Sequence, residues 1–260
     1  MSTNADTVAS ALIRTLQHLV SAIPDAWTSG SNGLMAAVTG VAIPTLNGVW
    51  TESANANPRT AGELLDQVAA TGLPHCLQVR PGASSRFAEI ASTRGMIRDD
   101  HPIPLMVLDR ADRLGTWEQA SDLRIRQLDP DEAATHARVA AAGFEAPVEV
   151  MLQMMTPSVL ALPGVHCYLG EVDGKTVTTG LGVVIGNSVG VFNIATPPES
   201  RRRGYGAALT ARIVETAFRT GVTSAWLQSS AQGFAIYETL GFRTFEEWTC
   251  WLSPMDGATR

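Results

Sequence analysis

The stretch RRRGYG, Arg201 to Gly206, stands between ATPPES and the run AALTARIVETAF. Upstream, GVHCYLGEVDGKTVTTGLGVVIGNSVGVFNIAT reads as three antiparallel strands. Asp173-Gly174 is a type I′ hairpin signal, and Gly186-Asn187-Ser188 marks a second turn. Downstream, Leu209, Ile213 and Ala217, with Val214 and Phe218, fall on one face at helical spacing, which predicts a helix packed on a sheet and stopped by Gly221. TSAWLQSS follows as a strand, GFAIYETLGF as a short helix and FRTFEEWTCWL as a final strand. The arginines and glycines therefore open the helix of a strand–helix–strand crossover. At such a start the first N–H groups have no partner, the helix dipole favours negative charge, and glycines let the backbone come close. That suits a phosphate. The Rossmann fingerprint does not fit, because Leu209 holds the place of its third glycine, and there is no Gly-Lys-Ser/Thr for a P-loop. From these six residues alone, a phosphate cradle and a solvated arginine-rich turn both stay open.

The chain has 260 residues, 45% hydrophobic and 17% charged, enough for one large or two ordinary domains with buried cores. A net charge of −6 argues against a general nucleic-acid binder, which needs a basic surface. Cys76, Cys167 and Cys250 are far apart and odd in number, so reduced, buried thiols and no metal site are expected. No run approaches the ~18 apolar residues of a membrane span, and MSTNADTVAS lacks the features of a secretory signal. A soluble cytoplasmic protein without a membrane partner is expected.

In the first half, a helix is predicted over Ala5 to Ser21, then β-like runs GLMAAVTGV and TLNGVWTES. PRTAGELLDQVAATG reads as a helix, PHCLQVRP as a strand, SRFAEIASTRGM as a short helix and IPLMVLDR as a strand. Ala111 to Ser121 is polar and aperiodic and reads as a linker, which divides the chain into domains 1–115 and 116–260. LRIRQLDP alternates as a strand, Asp129 or Asp131 caps the helix DEAATHARVAAAGF, and a second helix over Glu145 to Leu162 is interrupted near Pro157. LLDQVAATGLPHCLQVRPGASSRFAEIASTRGM parallels IVETAFRTGVTSAWLQSSAQGFAIYETLGF in element order and in its Thr-Gly, Leu-Gln and Phe-Ala pairs, the mark of a duplicated domain.

FNIATPPESRRRGYGAAL resembles the acyl-CoA-binding motif of the GNAT acyltransferase superfamily, [RQ]-x-x-G-x-[GA], with Arg201, Gly204 and Gly206 on its defined positions. YETLGF, Tyr237 to Phe242, resembles that family's second marker, and both occur in the right order. The FNIA loop is especially similar to the ribosomal-protein alanine acetyltransferases. The resemblance covers Leu123 to about Leu252. It implies an α/β (α+β) fold with a mixed, mostly antiparallel sheet flanked by helices, here in tandem. It also implies acetyl-CoA as cosubstrate and a primary amine of a small molecule, peptide or protein as acceptor. Carried over residue by residue, Arg202, Arg203, Gly204, Tyr205, Gly206 and Ala207 would hold the pyrophosphate beside Arg201. Ile194, Ala195 and Thr196 would pair with the pantetheine, and Tyr237 would protonate the leaving thiolate.

The chain departs from the family in two places. Gln228 stands where many relatives carry a glutamate base, and Ser230 is the nearest substitute for their asparagine. The base is thereby unassigned among Glu149, His166, Glu246, Glu247 and a water chain. The N-terminal half lacks Arg-x-x-Gly-x-Gly, and Ala91 stands where Tyr237 stands in the other copy, so it resembles a degenerate half that would support the acceptor groove. The missing glutamate leaves an alternative, a CoA-binding sensor or regulatory module without efficient turnover.

Overall fold

The computed structural model describes residues 4–112, 114–115 and 121–254. They form two compact units, 4–105 with 245–254, and 106–244. This division departs from the contiguous domains 1–115 and 116–260, because the last strand belongs with the N-terminal residues. Of the expected linker, Arg113 and Thr116 to Ala120 lie outside the described residues.

The first unit opens with α1 (Ala5–Val20), whose N-terminus is capped by Asn4 accepting the Thr7 N–H at 2.9 Å. Then come β1 (Trp27–Ser31), β2 (Leu34–Val38), β3 (Asn47–Thr51), α2 (Pro58–Ala69), β4 (Cys76–Val79), α3 (Ser84–Ser92) and β5 (Ile97–Arg98). β1 was not among the predicted strands. WTSGS is mostly exposed and has no apolar alternation, though Asn32-Gly33, both at positive φ, is the hairpin signal that locates it. The chain passes through β6 (Ile103–Asp109) to β7 (Arg124–Gln127), α4 (Ala133–Phe144), α5 (Val148–Met154), α6 (Pro157–Leu160), β8 (Val165–Val172), β9 (Lys175–Ile185) and β10 (Ser188–Ala195). It ends with α7 (Tyr205–Arg219), β11 (Ser224–Gln228), α8 (Phe234–Thr239) and β12 (Arg243–Leu252).

In the first unit the strand order is β1-β2-β3-β4-β12, with β5 on β12; in the second it is β6-β11-β10-β9-β8-β7. β12 runs antiparallel to β4, with Cys250 opposite Gln78, which is why the final strand leaves its sequence neighbours. Each unit has the same centre. An antiparallel pair, β2–β3 or β9–β10, leads through a helix into a parallel strand. The parallel pairing lasts three residues in both, Gly48–Trp50 against Cys76–Gln78 and Ser188–Gly190 against Ser224–Trp226. The repeat read in the sequence is thus a repeated crossover. Leu64, Leu65, Val68, Leu77, Phe87 and Trp251 fill the first core; Leu209, Ile213, Val214, Ala225, Leu227 and Phe242 fill the second.

Two buried polar groups need explanation. Arg80 follows β4, and its side chain is only 3% exposed. Nη1 donates to Asp6 Oδ1 (2.8 Å) and to the Glu52 carbonyl (2.7 Å). Nη2 and Nε grip Glu246 at 2.7 and 3.0 Å, and Trp248 Nε1 donates to the same carboxylate at 2.8 Å. His136, on α4, is fully buried, with Nδ1 2.7 Å from Thr179 Oγ1 and 3.3 Å from Cys167 Sγ, while Nε2 meets no partner among the described residues. Burial lowers its pKa to about 4.

Removing one partner of a buried ion pair strands the other, at about 3–5 kcal/mol. Arg80→Met should therefore lower the urea-unfolding free energy by roughly that amount, and Arg80→Met with Glu246→Gln should recover part of it. His136 binds fewer protons folded than unfolded between its ordinary pKa and about 4. Its contribution is complete above pH ~6.5 and falls by about 3 kcal/mol on going down to pH 4. In unfolding titrations from pH 7 to 4, His136→Gln should show a shallower loss than the native chain.

Candidate active site

The site begins with an irregularity in β10. Its register against β9 shifts between Phe192 and Ala195, and Asn193 takes φ 52°, the signature of a bulge that re-aims the end of the strand. Beyond Gly190 and Trp226 no register pairs join β10 to β11. Gly190 is required there. A Cβ would fall 2.6 Å from the Trp226 ring and 2.7 Å from Phe192, whose rings meet edge-on at 5.4 Å. Gly143 likewise lets the end of α4 rest on the bulge, since a Cβ would lie 2.8 Å from Ala195 Cβ and 2.9 Å from Thr196 N. Thr178 Oγ1 fixes the strand end by donating to the Ala195 carbonyl at 3.0 Å, and it lies 3.0 Å from Thr196 Oγ1.

A short 3₁₀ turn, Pro198–Ser200, leads into the arginine loop. The Arg201 guanidinium is spent on the fold: Nε donates to the Thr196 carbonyl (3.2 Å) and Nη2 to the Gly143 carbonyl (2.8 Å) and Glu145 Oε1 (2.9 Å). Arg202 (φ 61°) and Gly204 (φ 77°) alternate with residues of negative φ, which turns successive N–H groups toward one concavity. Among the described residues, no protein group accepts a hydrogen bond from the N–H of Arg202 through Ala207; Ala208, bonding the Gly204 carbonyl at 3.0 Å, is the first that does. Gly204 caps α7 without a side chain to occupy these donors. Around Gly206 a Cβ would meet nothing closer than Thr196 Oγ1 at 3.5 Å and Ile194 Cγ2 at 3.6 Å, so this glycine leaves room for an approaching ligand. Tyr205 points inward, buried, with its hydroxyl donating to Asp122 at 3.0 Å, and offers only its amide. Arg202 and Arg203 are exposed. Six free amides beside two cations fit a polyanionic group such as a pyrophosphate.

Ile194, Ala207 and Tyr237 are half-buried against a core cluster that includes Leu209, Leu227 and Phe242, whereas Ala195 is buried in another, with Ala137 and Met151. The Tyr237 ring lies edge-on to Phe242 at 6.1 Å and close over Gly233, where a Cβ would be 2.8 Å from it. Burial pushes its phenol up to about 12, so it keeps its proton across the physiological range. Ser230 is exposed and its hydroxyl accepts the Gly233 N–H at 3.2 Å, organising the entry to α8. The residues named as bases are dispersed. Glu246 is locked to Arg80 and Trp248, Glu149 and Glu247 are exposed, and exposed His166 lies 3.3 Å from Gln127 Nε2. Among the described residues, no cluster of His, Cys, Asp or Glu is arranged to hold a metal ion, and no helix is long and apolar enough to cross a membrane. All three cysteines are free and buried.

The corresponding helix start in the first unit is closed. Pro58 has no N–H, and the Arg59 N–H is taken by Asn57 Oδ1 at 2.9 Å. Where β3 and β4 end, Arg80 spans the gap, its N–H on Thr51 Oγ1 (2.8 Å) and its guanidinium on the Glu52 carbonyl. No local pattern announced this; an arginine before Pro-Gly reads as a surface residue.

The sequence profile of the Acetyltransferase (GNAT) domain matches residues 163–244. Over 73 residues, 27% of this chain, the protein is 34% identical to a [Ribosomal protein bS18]-alanine N-acetyltransferase of Escherichia coli (strain K12), and 33% identical to one of Salmonella typhimurium. The match spans about half the length of those relatives (49%). Among solved structures, a GCN5-related N-acetyltransferase from Kribbella flavida superposes with a TM-score of 0.71 at 19% identity, covering 99% of this chain and 98% of that one. A tandem GNAT protein from the clavulanic acid biosynthesis pathway superposes with a TM-score of 0.58 at 15% identity, covering 98% of each. The free amides of the arginine loop thus lie inside the segment that matches the GNAT acetyltransferase domain, in a chain whose fold is that of a tandem GNAT protein.

Proposed function

We propose that the second unit transfers the acetyl group of acetyl-CoA to a primary amine. The observation that carries this reading is the run of six unpartnered amides, Arg202 to Ala207, at the start of α7 within the GNAT segment. These amides would hold the pyrophosphate, with Arg202 and Arg203 adding charge, and Arg201 would keep the loop in shape. The backbone of Ile194, Ala195 and Thr196, held at the bulge by Thr178, would align the pantetheine arm. Acetyl-CoA brings an activated thioester. The amine nitrogen bonds to the acyl carbon, the C–S bond breaks, and Tyr237 supplies a proton to the departing sulfur. The acceptor's ammonium proton goes to solvent before attack, and the second N–H proton, lost as the amide forms, returns through solvent to the Tyr237 phenolate; Gln228 cannot take either at neutral pH. The likeness to bS18-alanine N-acetyltransferases supports including protein N-termini among acceptors. The occupied helix start of α2 and the Arg80 bridge support a single acetyl-CoA per chain.

Four outcomes test this. Calorimetric titration should give one acetyl-CoA per chain, and acetyl-CoA should raise the melting temperature of the native chain but not of Gly204→Asp, which places a carboxylate in the anion site. Two sites of similar affinity would refute the closed first unit. Tyr237→Phe should lower turnover by about ten- to a thousand-fold with little change in cofactor affinity. The pH–rate profile, read as thiol release with amines, peptides and protein N-termini, should rise with the acceptor's own pKa. It should show no falling limb below pH ~10, because Tyr237 stays protonated there. A fall near neutrality would point to a different acid.

A further inference from the structure

Lys175 is the only lysine in 260 residues. The hairpin Asp173-Gly174, both at positive φ, delivers it as the first residue of β9. In the β9–β10 register Ala195 lies opposite Thr179, so the start of β9 runs beside the segment that follows β10. There Lys175 Nζ lies 3.7 Å from Glu199 Oε1. Glu199 belongs to the 3₁₀ turn Pro198–Ser200, three residues before the first free amide of the loop at Arg202. A carboxylate three residues from that amide would oppose a phosphate held there, and the single lysine of the chain covers it. Both groups are accessible, 70% and 61% exposed.

We propose that Lys175 is an acetylation site through which the affinity for the acyl donor is set. The idea rests on the reading of the loop as the phosphate site. The unprotonated amine attacks the acyl carbon of an acyl phosphate or thioester. The N–C bond forms, the C–O or C–S bond breaks, phosphate or thiol leaves, and the amine proton passes to solvent. The product is a neutral amide. Glu199 then keeps its charge with nothing to offset it, and the loop loses one positive charge nearby. The pair is solvent-exposed, so the effect is a modest, salt-sensitive tuning of affinity.

The test uses the full chain treated with acetyl phosphate. Peptide mass mapping should place an acetyl group on Lys175; modification confined to the N-terminal amine overturns the proposal. CoA is then titrated calorimetrically into the native chain, Lys175→Gln, Lys175→Arg, Glu199→Gln and the double variant Lys175→Gln/Glu199→Gln. At low salt, Lys175→Gln should bind CoA about three- to ten-fold more weakly, and the difference should shrink at high salt. Lys175→Arg should stay within about two-fold of native, and the double variant should return close to it. Equal affinity of the Gln and Arg variants overturns the proposal, as does an undiminished loss in the Glu199→Gln background. A native chain that binds no CoA overturns the site reading together with this one. A native chain that binds normally while Lys175→Gln is unchanged overturns this one alone.

Discussion

A helix cannot begin without leaving its first N–H groups unpaired, and the rest of this site follows from how α7 leaves them. In most helices a side chain at the N-cap takes one or two of these donors. Gly204 has none to offer, and the positive φ values of Arg202 and Gly204 extend the unpaired run back into the loop. The loop keeps this shape because its side chains are used elsewhere. Arg201 ties it to the end of β10 and to the end of α4, and Tyr205 anchors beneath it on Asp122. The charged residue that looks most like a ligand is a brace. The groups left unpaired are backbone, which explains why glycine spacing carries more information than the three arginines.

The first unit shows the same architecture with the opposite outcome. α2 starts with proline and an asparagine cap, and both choices remove donors that α7 leaves free. The end of the parallel strand pair is then crossed by Arg80. A buried guanidinium requires carboxylates, and Glu246 and Asp6 supply them. Once such a network is in place it is self-maintaining, because losing any member leaves another unpaired in the interior. The same crossover thus fills this space with structure in one unit and leaves its helix-start donors unpaired in the other.

Much of this was legible in the sequence because it is local. Asp173-Gly174 fixes a turn, Leu209, Ile213 and Ala217 fix a helix face, and Gly204 and Gly206 mark the loop. What was not legible depends on partners far along the chain. β1 is exposed and lacks alternation, so only its Asn-Gly turn marks it. The place of β12 beside β4 is set by pairing across about 170 residues, which no window detects. The burial of Arg80 and the engagement of Glu246 arise from the same long-range pairing. The side-chain role of Arg201 was hidden for a different reason: motif position says where a residue sits, and its hydrogen bonds decide what it does.

The pairing of Tyr237 with a missing base has an internal logic. A thiol near the ordinary value of about 8.5 gives a stable thiolate, whereas the buried phenol sits near 12. Complete transfer from Tyr237 to a free thiolate would run uphill by about 3.5 in pKa. In the proposed reaction its contribution would therefore be greatest while the C–S bond is breaking, as a hydrogen bond to the sulfur as it gains charge. Such a donor needs to remain protonated more than it needs to be acidic, and burial alone achieves that. The acceptor side asks for less. An amine that reaches the site already neutral needs no carboxylate beside it, which is consistent with glutamine at position 228. On the proposed reading, Tyr237 stabilises the departing sulfur as a hydrogen-bond donor, and deprotonation of the nitrogen is left to the pH at which the acceptor is met.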